Sequence, residues 1–144
     1  MERALARIEY DAIAANCARL RQELGEGAEL CAVVKADGYG HGADESAAAA
    51  LAGGATRLAV ATAAEAARLG RRFAHVPLLT LGALSEAEVD VVLAAGSEVA
   101  VWREGFRRLL AERAEAYGVR PRVHVKYDSG MGRLGSADPT RCWR

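Results

Sequence analysis

At 144 residues the chain has one-domain length, and a globular chain of that size buries roughly 70% of its unfolded surface. Nineteen basic residues balance nineteen acidic ones, and no basic run interleaves with aromatics, which argues against a nucleic-acid partner. No stretch approaches the ~20 apolar residues of a membrane helix, and the start, MERALARIEYDAIAAN, lacks a continuous apolar run of signal-peptide type, so a cytoplasmic protein without a membrane partner is expected.

In chain order, a short strand is expected over residues 5–10. Asp11 then caps a helix on which Ile13, Cys17, Leu20 and Leu24 repeat at four-three-four spacing, with Gly25 to stop it. Apolar runs at 30–34, 58–61, 76–81, 99–102 and 123–126 read as five internal strands. Between them lie helices at 43–51, closed by Gly53, and at 103–117, closed by Gly118. Thr62 with Glu65, and Ser85 with Glu88, form capping boxes that open two more helices directly after strands. Cys17, Cys31 and Cys142 are odd in number and lack CxxC spacing. They read as reduced packing residues, and no metal site is expected.

Strand followed by helix, repeated with short connections, predicts an α/β fold with a parallel sheet. The strands are nearly all apolar, as expected where both faces are covered. A doubly wound sheet and a (β/α)8 barrel both fit, and in either the catalytic groups gather at the C-terminal ends of strands. A full barrel takes roughly 250 residues. About five βα units therefore predict an incomplete barrel with two bare edges.

Only Lys35 and Lys126 are lysines, against seventeen arginines. Each stands at the exit of an apolar strand, before a glycine-rich segment: CAVVKADGYGHG and VHVKYDSGMGRLG. A guanidinium is never usefully deprotonated, so chemistry that needs a neutral amine must come from lysine. Chance placement in an arginine-rich chain is the plain alternative. In the first segment Gly38, Gly40 and Gly42 free the backbone for a tight turn. Tyr39 offers a hydroxyl to a phosphate or carboxylate held beside the Lys35 amine, or is simply a half-buried aromatic with a wet hydroxyl. Asp37 and His41 are secondary candidates; for His41 a supporting role is favoured over a direct one. The glycine spacing fits neither a dinucleotide fingerprint nor a P-loop. In the second segment Arg133 follows the Gly130-Met131-Gly132 turn as a planar fork for an oxyanion or carboxylate. Its plain alternative is a surface ion pair with Asp128 or Asp138, and Asp128 and Ser129 otherwise shape the turn.

VVKADGYGHG resembles the pyridoxal-phosphate lysine motif of alanine racemases, and KYDSGMGRLG resembles that family's second signature. The two occur in the family's order, and the likeness extends over about residues 3–136. It implies the N-terminal part of a TIM-type barrel, with residues 1–144 as a single incomplete domain and the family's C-terminal β domain absent. It implies pyridoxal 5'-phosphate as cofactor and conversion of L- to D-alanine for peptidoglycan precursors, in an enzyme expected to be a homodimer. By position, Lys35 would be the Schiff-base lysine and one of two catalytic bases, and Tyr39 would bind the cofactor phosphate. Arg133 would contact the cofactor's phenolic oxygen and the substrate carboxylate. Lys126 matches a lysine often carbamylated in the family. The second acid/base is, in the family, a tyrosine of the partner subunit's second domain, and no residue here matches it. Two other readings stand beside this one: a related barrel enzyme racemising or decarboxylating another amino acid, and a noncatalytic cofactor-carrying barrel.

Overall fold

The computed structural model of the chain describes residues 3–138. Two compact units, Met1–Leu58 and Ala59–Arg144, make up the chain.

The first unit contains α1 (Tyr10–Glu23), β1 (Cys31–Val33), the short turn α2 (Lys35–Tyr39), α3 (Ala43–Ala52) and the start of β2 (Arg57–Val60). No strand forms over residues 5–10, contrary to the sequence reading: residues 4–9 are irregular, Leu5 is 79% exposed, and Tyr10 already belongs to α1. A strand exists only where a ladder partner satisfies its amides, and alternation of apolar residues does not supply one. The helix cap also shifts. Glu9 is the extended residue that precedes α1, while Asp11 lies inside the first turn. Its charge faces the positive end of the helix dipole there. α1 packs on α3, and the contact is close at Gly53, the cap of α3, where a Cβ would fall on the Ala14 carbonyl and lie 2.7 Å from Cys17 Cβ. Small residues make the core: Ala43, Ala47 and Ala50 of α3 are buried with Val34 and Leu58.

The second unit continues β2 and adds α4 (Ala63–Arg72), β3 (Leu78–Thr80), α5 (Glu86–Ala94), β4 (Glu98–Val101), α6 (Glu104–Ala116) and β5 (Val123–Val125). Both capping boxes are present. The Thr62 hydroxyl accepts the Glu65 amide at 3.2 Å, and Glu65 accepts the Thr62 amide at 3.0 Å. Glu88 accepts the Ser85 amide at 2.9 Å and its hydroxyl at 2.7 Å, and these two bonds hold its carboxyl below the usual range. Val60, Leu69, Val89, Val92 and Val99 are fully buried. β3 pairs parallel with β4, Thr80 opposite Val99, and β4 pairs parallel with β5, Val101 opposite Val125.

β4 begins one residue before the apolar run expected at 99–102. It starts at Glu98, which is 6% exposed. The carboxylate accepts a hydrogen bond from His124 Nε2 on β5 at 2.5 Å, with the Arg122 guanidinium 3.9 Å from its other oxygen. A buried charge persists when it is partnered in this way. Beside it the Thr80 and Ser97 hydroxyls bond each other at 2.8 Å in the interior.

The five strands follow chain order in the sheet, β1-β2-β3-β4-β5. Doubly wound sheets reverse their order at a switch point, whereas a barrel adds each new strand on the same side. The order therefore separates the two candidate folds: this is a parallel α/β sheet of TIM-barrel type with flanking helices.

Candidate functional site

Each unit carries one of the two lysine segments, at the exit of a strand. In the first, Val34 is buried and Lys35 is half-buried two residues after β1. The chain then turns the wrong way. Ala36 (φ 52°, ψ 48°), Asp37 (φ 53°, ψ 48°) and Gly38 (φ 64°, ψ 35°) all adopt left-handed helical angles, and Tyr39 and Gly40 also have positive φ. Left-handed residues other than glycine normally occur singly, at a cost of about 1–2 kcal/mol each. Here Ala36, Asp37 and Tyr39 accumulate within four positions, and strain of this kind persists only where surrounding bonds over-determine it.

Those bonds are present. The Gly38 amide donates to Val34 O at 3.0 Å, and the Gly42 amide to Asp37 O at 2.9 Å. Asp37 Oδ1 accepts the Ala43 amide at 3.0 Å. His41 Nδ1 donates to Gly38 O at 2.9 Å, and Tyr10 donates its hydroxyl to His41 O at 2.8 Å. Asp37 and His41, candidates for chemistry on sequence grounds, thus both hold the turn. Tyr10 was assigned no task by the sequence reading; its place at the start of α1, beside the glycine segment, is visible only once α1 meets α3. The result places the Lys35 amine 5.8 Å from the centre of the Tyr39 ring, with the ring 59% exposed. A groove of about 530 Å³ runs past Val34, Gly38, Tyr39, His41 and Ser46.

In the second unit Lys126 directly follows β5 and is half-buried. Its amide donates to Val101 O at 2.8 Å, its carbonyl accepts the Ser136 amide at 3.1 Å, and the Asp128 amide donates to Ser136 O at 3.0 Å. These bonds close the base of a loop whose tip holds Gly130, Met131, Gly132 and the exposed Arg133. Asp128 makes no ion pair with Arg133. Its carboxylate accepts the amides of Gly130 at 3.0 Å and Gly132 at 2.9 Å, and no ion pair of Arg133 is found among the described residues.

The amides of Gly130 and Gly132, with smaller help from Met131 and the Lys126 charge, hold the Asp128 carboxyl below its ordinary value. A lowered folded pKa stabilises the loop above the unfolded value of about 3.9, and that stabilisation fades as pH falls through the folded value. In a proton NMR titration the Gly132 amide shift should stay constant from pH 7 to about 4 and move only below it. A midpoint at or above the ordinary aspartate value would contradict this bonding.

Among the described residues, no group of three or more His, Cys, Asp or Glu is placed to hold a metal ion, and no helix is long and apolar enough to cross a membrane. Cys17 and Cys31 are both thiols, and burial pushes the Cys17 thiol up. Cys142 lies outside the described residues.

Sequential parallel βα units whose strands keep chain order are the arrangement of a (β/α)8 barrel domain. The chain belongs to the alanine racemase family: residues 8–142 match the alanine racemase N-terminal domain. It is 43% identical over 130 residues to alanine racemase of Desulforamulus reducens, covering 90% of this chain and 35% of that protein. With alanine racemase of Geobacillus kaustophilus the identity is 47% over 134 residues, covering 91% and 34%. The crystal structure of alanine racemase from E. faecalis superposes with a TM-score of 0.86 at 38% identity, over 93% of this chain and 36% of that one. Histidine racemase from Leuconostoc mesenteroides shares the fold at a TM-score of 0.76 and 24% identity, over 88% and 34%. The chain spans about a third of the length of these relatives.

Proposed function

We propose that this chain carries the cofactor-holding part of a pyridoxal-phosphate-dependent alanine racemase, residues 1–144 acting as one incomplete barrel domain. The observation that carries the reading is the Lys35 amine, set on a left-handed turn at the exit of β1 and 5.8 Å from the Tyr39 ring. The chemistry of the donor set fits the cofactor. An aldehyde asks for a primary amine and a phosphate for a hydroxyl donor, and Lys35 and Tyr39 offer these from one turn.

When bound, pyridoxal phosphate supplies an electron sink for the charge left at Cα as its proton departs. Lys35 would hold the cofactor and, once exchanged for the substrate amine, remove or return the Cα proton on one face. Tyr39 would anchor the phosphate. Arg133, on its glycine turn, would pair the substrate carboxylate and the cofactor's phenolic oxygen. Lys126, as a neutral amine, would add carbon dioxide and release a proton to become a carbamate, whose carboxylate would orient that guanidinium; an arginine could not undergo that addition. Alanine as substrate is supported by the names of the relatives; D-alanine for cell-wall precursors, a two-subunit assembly and a cytoplasmic setting belong to the same proposal as what the motif resemblance implies.

Racemisation needs a second acid/base on the opposite face of the substrate, and none of the residues assigned here takes that role. The 144-residue chain, purified with pyridoxal phosphate, is expected to exchange D- and L-alanine slowly or not at all. A chiral assay checks this, and turnover comparable to that of an ordinary racemase would overturn it.

A further inference from the structure

We infer that Asp37 is a positioning residue, whose carboxylate clamps the left-handed turn onto the start of α3 and so sets Lys35 relative to Tyr39. The inference rests on the reading of Lys35 as the cofactor-holding amine. It starts from a gap in α3. Its N-cap is Gly42, which has no side chain to satisfy the exposed amides of the first turn. Asp37 Oδ1 reaches six residues forward and accepts the Ala43 amide at 3.0 Å. It brings negative charge to the helix start, where the dipole favours it. The residue doing this lies inside the strained run, at φ 53°. Aspartate is among the few side chains that visit the left-handed region with tolerable cost.

One residue therefore does two things that no neighbour does together: it accepts left-handed angles, and it ties the middle of the turn to a helix packed against α1. Lys35 lies two residues before Asp37 and Tyr39 two residues after it. Releasing the tie lets both ends relax toward right-handed angles, which moves the amine and the hydroxyl independently.

The two duties separate by substitution. Asp37→Gly keeps the left-handed angles, even more cheaply, but removes the acceptor. Asp37→Asn keeps both the angles and an acceptor oxygen. The parent chain and both variants are incubated with pyridoxal phosphate, quenched with borohydride at intervals, and the Lys35 and Lys126 adducts counted by mass spectrometry. Asp37→Gly is expected to slow Lys35 labelling about five- to tenfold, the scale of a lost helix cap. Asp37→Asn is expected within about twofold of parent, and the Lys126 rate should be unchanged in both, which a general loss of structure would not leave so. Equal Lys35 rates in parent and Asp37→Gly overturn the inference, as does Asp37→Asn falling to the glycine variant's rate. Should circular dichroism show Asp37→Gly unfolded, hydrogen exchange at the Ala43 amide in Asp37→Asn decides. Retained protection with retained labelling supports the clamp, and lost protection with unchanged labelling overturns it. A parent chain that gives no Lys35 adduct overturns the cofactor reading, and this inference with it.

Discussion

Lys35→Arg is expected to erase the borohydride-trapped pyridoxal phosphate adduct at position 35, lowering its yield by at least about a hundredfold, because a guanidinium stays protonated under any usable condition. Charge and length are nearly kept, and the side chain is half-buried rather than enclosed, so the fold should survive. The change isolates one property, the capacity of nitrogen to become a neutral nucleophile. Since Lys126 is the only other lysine in the chain, peptide mass mapping resolves the outcome cleanly. Residual label should lie at Lys126 or the chain's N-terminal amine. An undiminished total yield, all of it at those two places in parent and variant alike, would remove Lys35 from the chemistry.

Gly38→Val is expected to destabilise the chain by about 3 kcal/mol, combining the left-handed penalty of a branched side chain with local overpacking. A Cβ at this position would lie 2.9 Å from the Ser46 hydroxyl and 3.3 Å from the Ala43 backbone. Ser46 Oγ is buried without a hydrogen-bond partner among the described residues, so it is packed against the glycine rather than anchored elsewhere. Gly40→Ala is the matching control. Its φ of 84° is also positive, but nothing lies within 4 Å of the added atom. It should cost only about 1 kcal/mol, the conformational part alone. Urea unfolding of both variants separates the two contributions, and equal losses would rule crowding out.

Where chemistry is local, the sequence was readable. Both capping boxes form where Thr62 with Glu65 and Ser85 with Glu88 announce them, because the partners are three residues apart and need nothing from the rest of the chain. The helix expected at 103–117 is observed as Glu104–Ala116, with Arg103 and Tyr117 as its caps. Periodicity alone left barrel and doubly wound sheet open; the resemblance carried by the two lysine motifs implied the barrel, and the strand order agrees with it. The expected strand over 5–10 failed: Leu5, Ile8 and Tyr10 look like a strand edge until the absence of a pairing neighbour decides otherwise. The reversed handedness of residues 36–40 was only half visible. Glycines at 38, 40 and 42 announced freedom, but Ala36 and Tyr39 carry no left-handed preference, and the turn around them is held by bonds of His41 to Tyr10 and of Asp37 to Ala43, distant in sequence or hidden in a backbone amide. Asp37 was read only as a secondary candidate for chemistry, whereas in the fold its carboxylate accepts the Ala43 amide.

The Glu98–His124 pair has a bearing on how the sheet assembles. Parallel ladders of short apolar strands are nearly indifferent to sliding, since valine opposite valine looks much the same one step along. An acid in β4 that must meet an imidazole in β5 removes that indifference: a slip of one residue points His124 to the opposite face and parts it from the carboxylate. The pair works as an indexing notch, so that β5 arrives with Lys126 at the rim of the sheet instead of one residue inside it or beyond it.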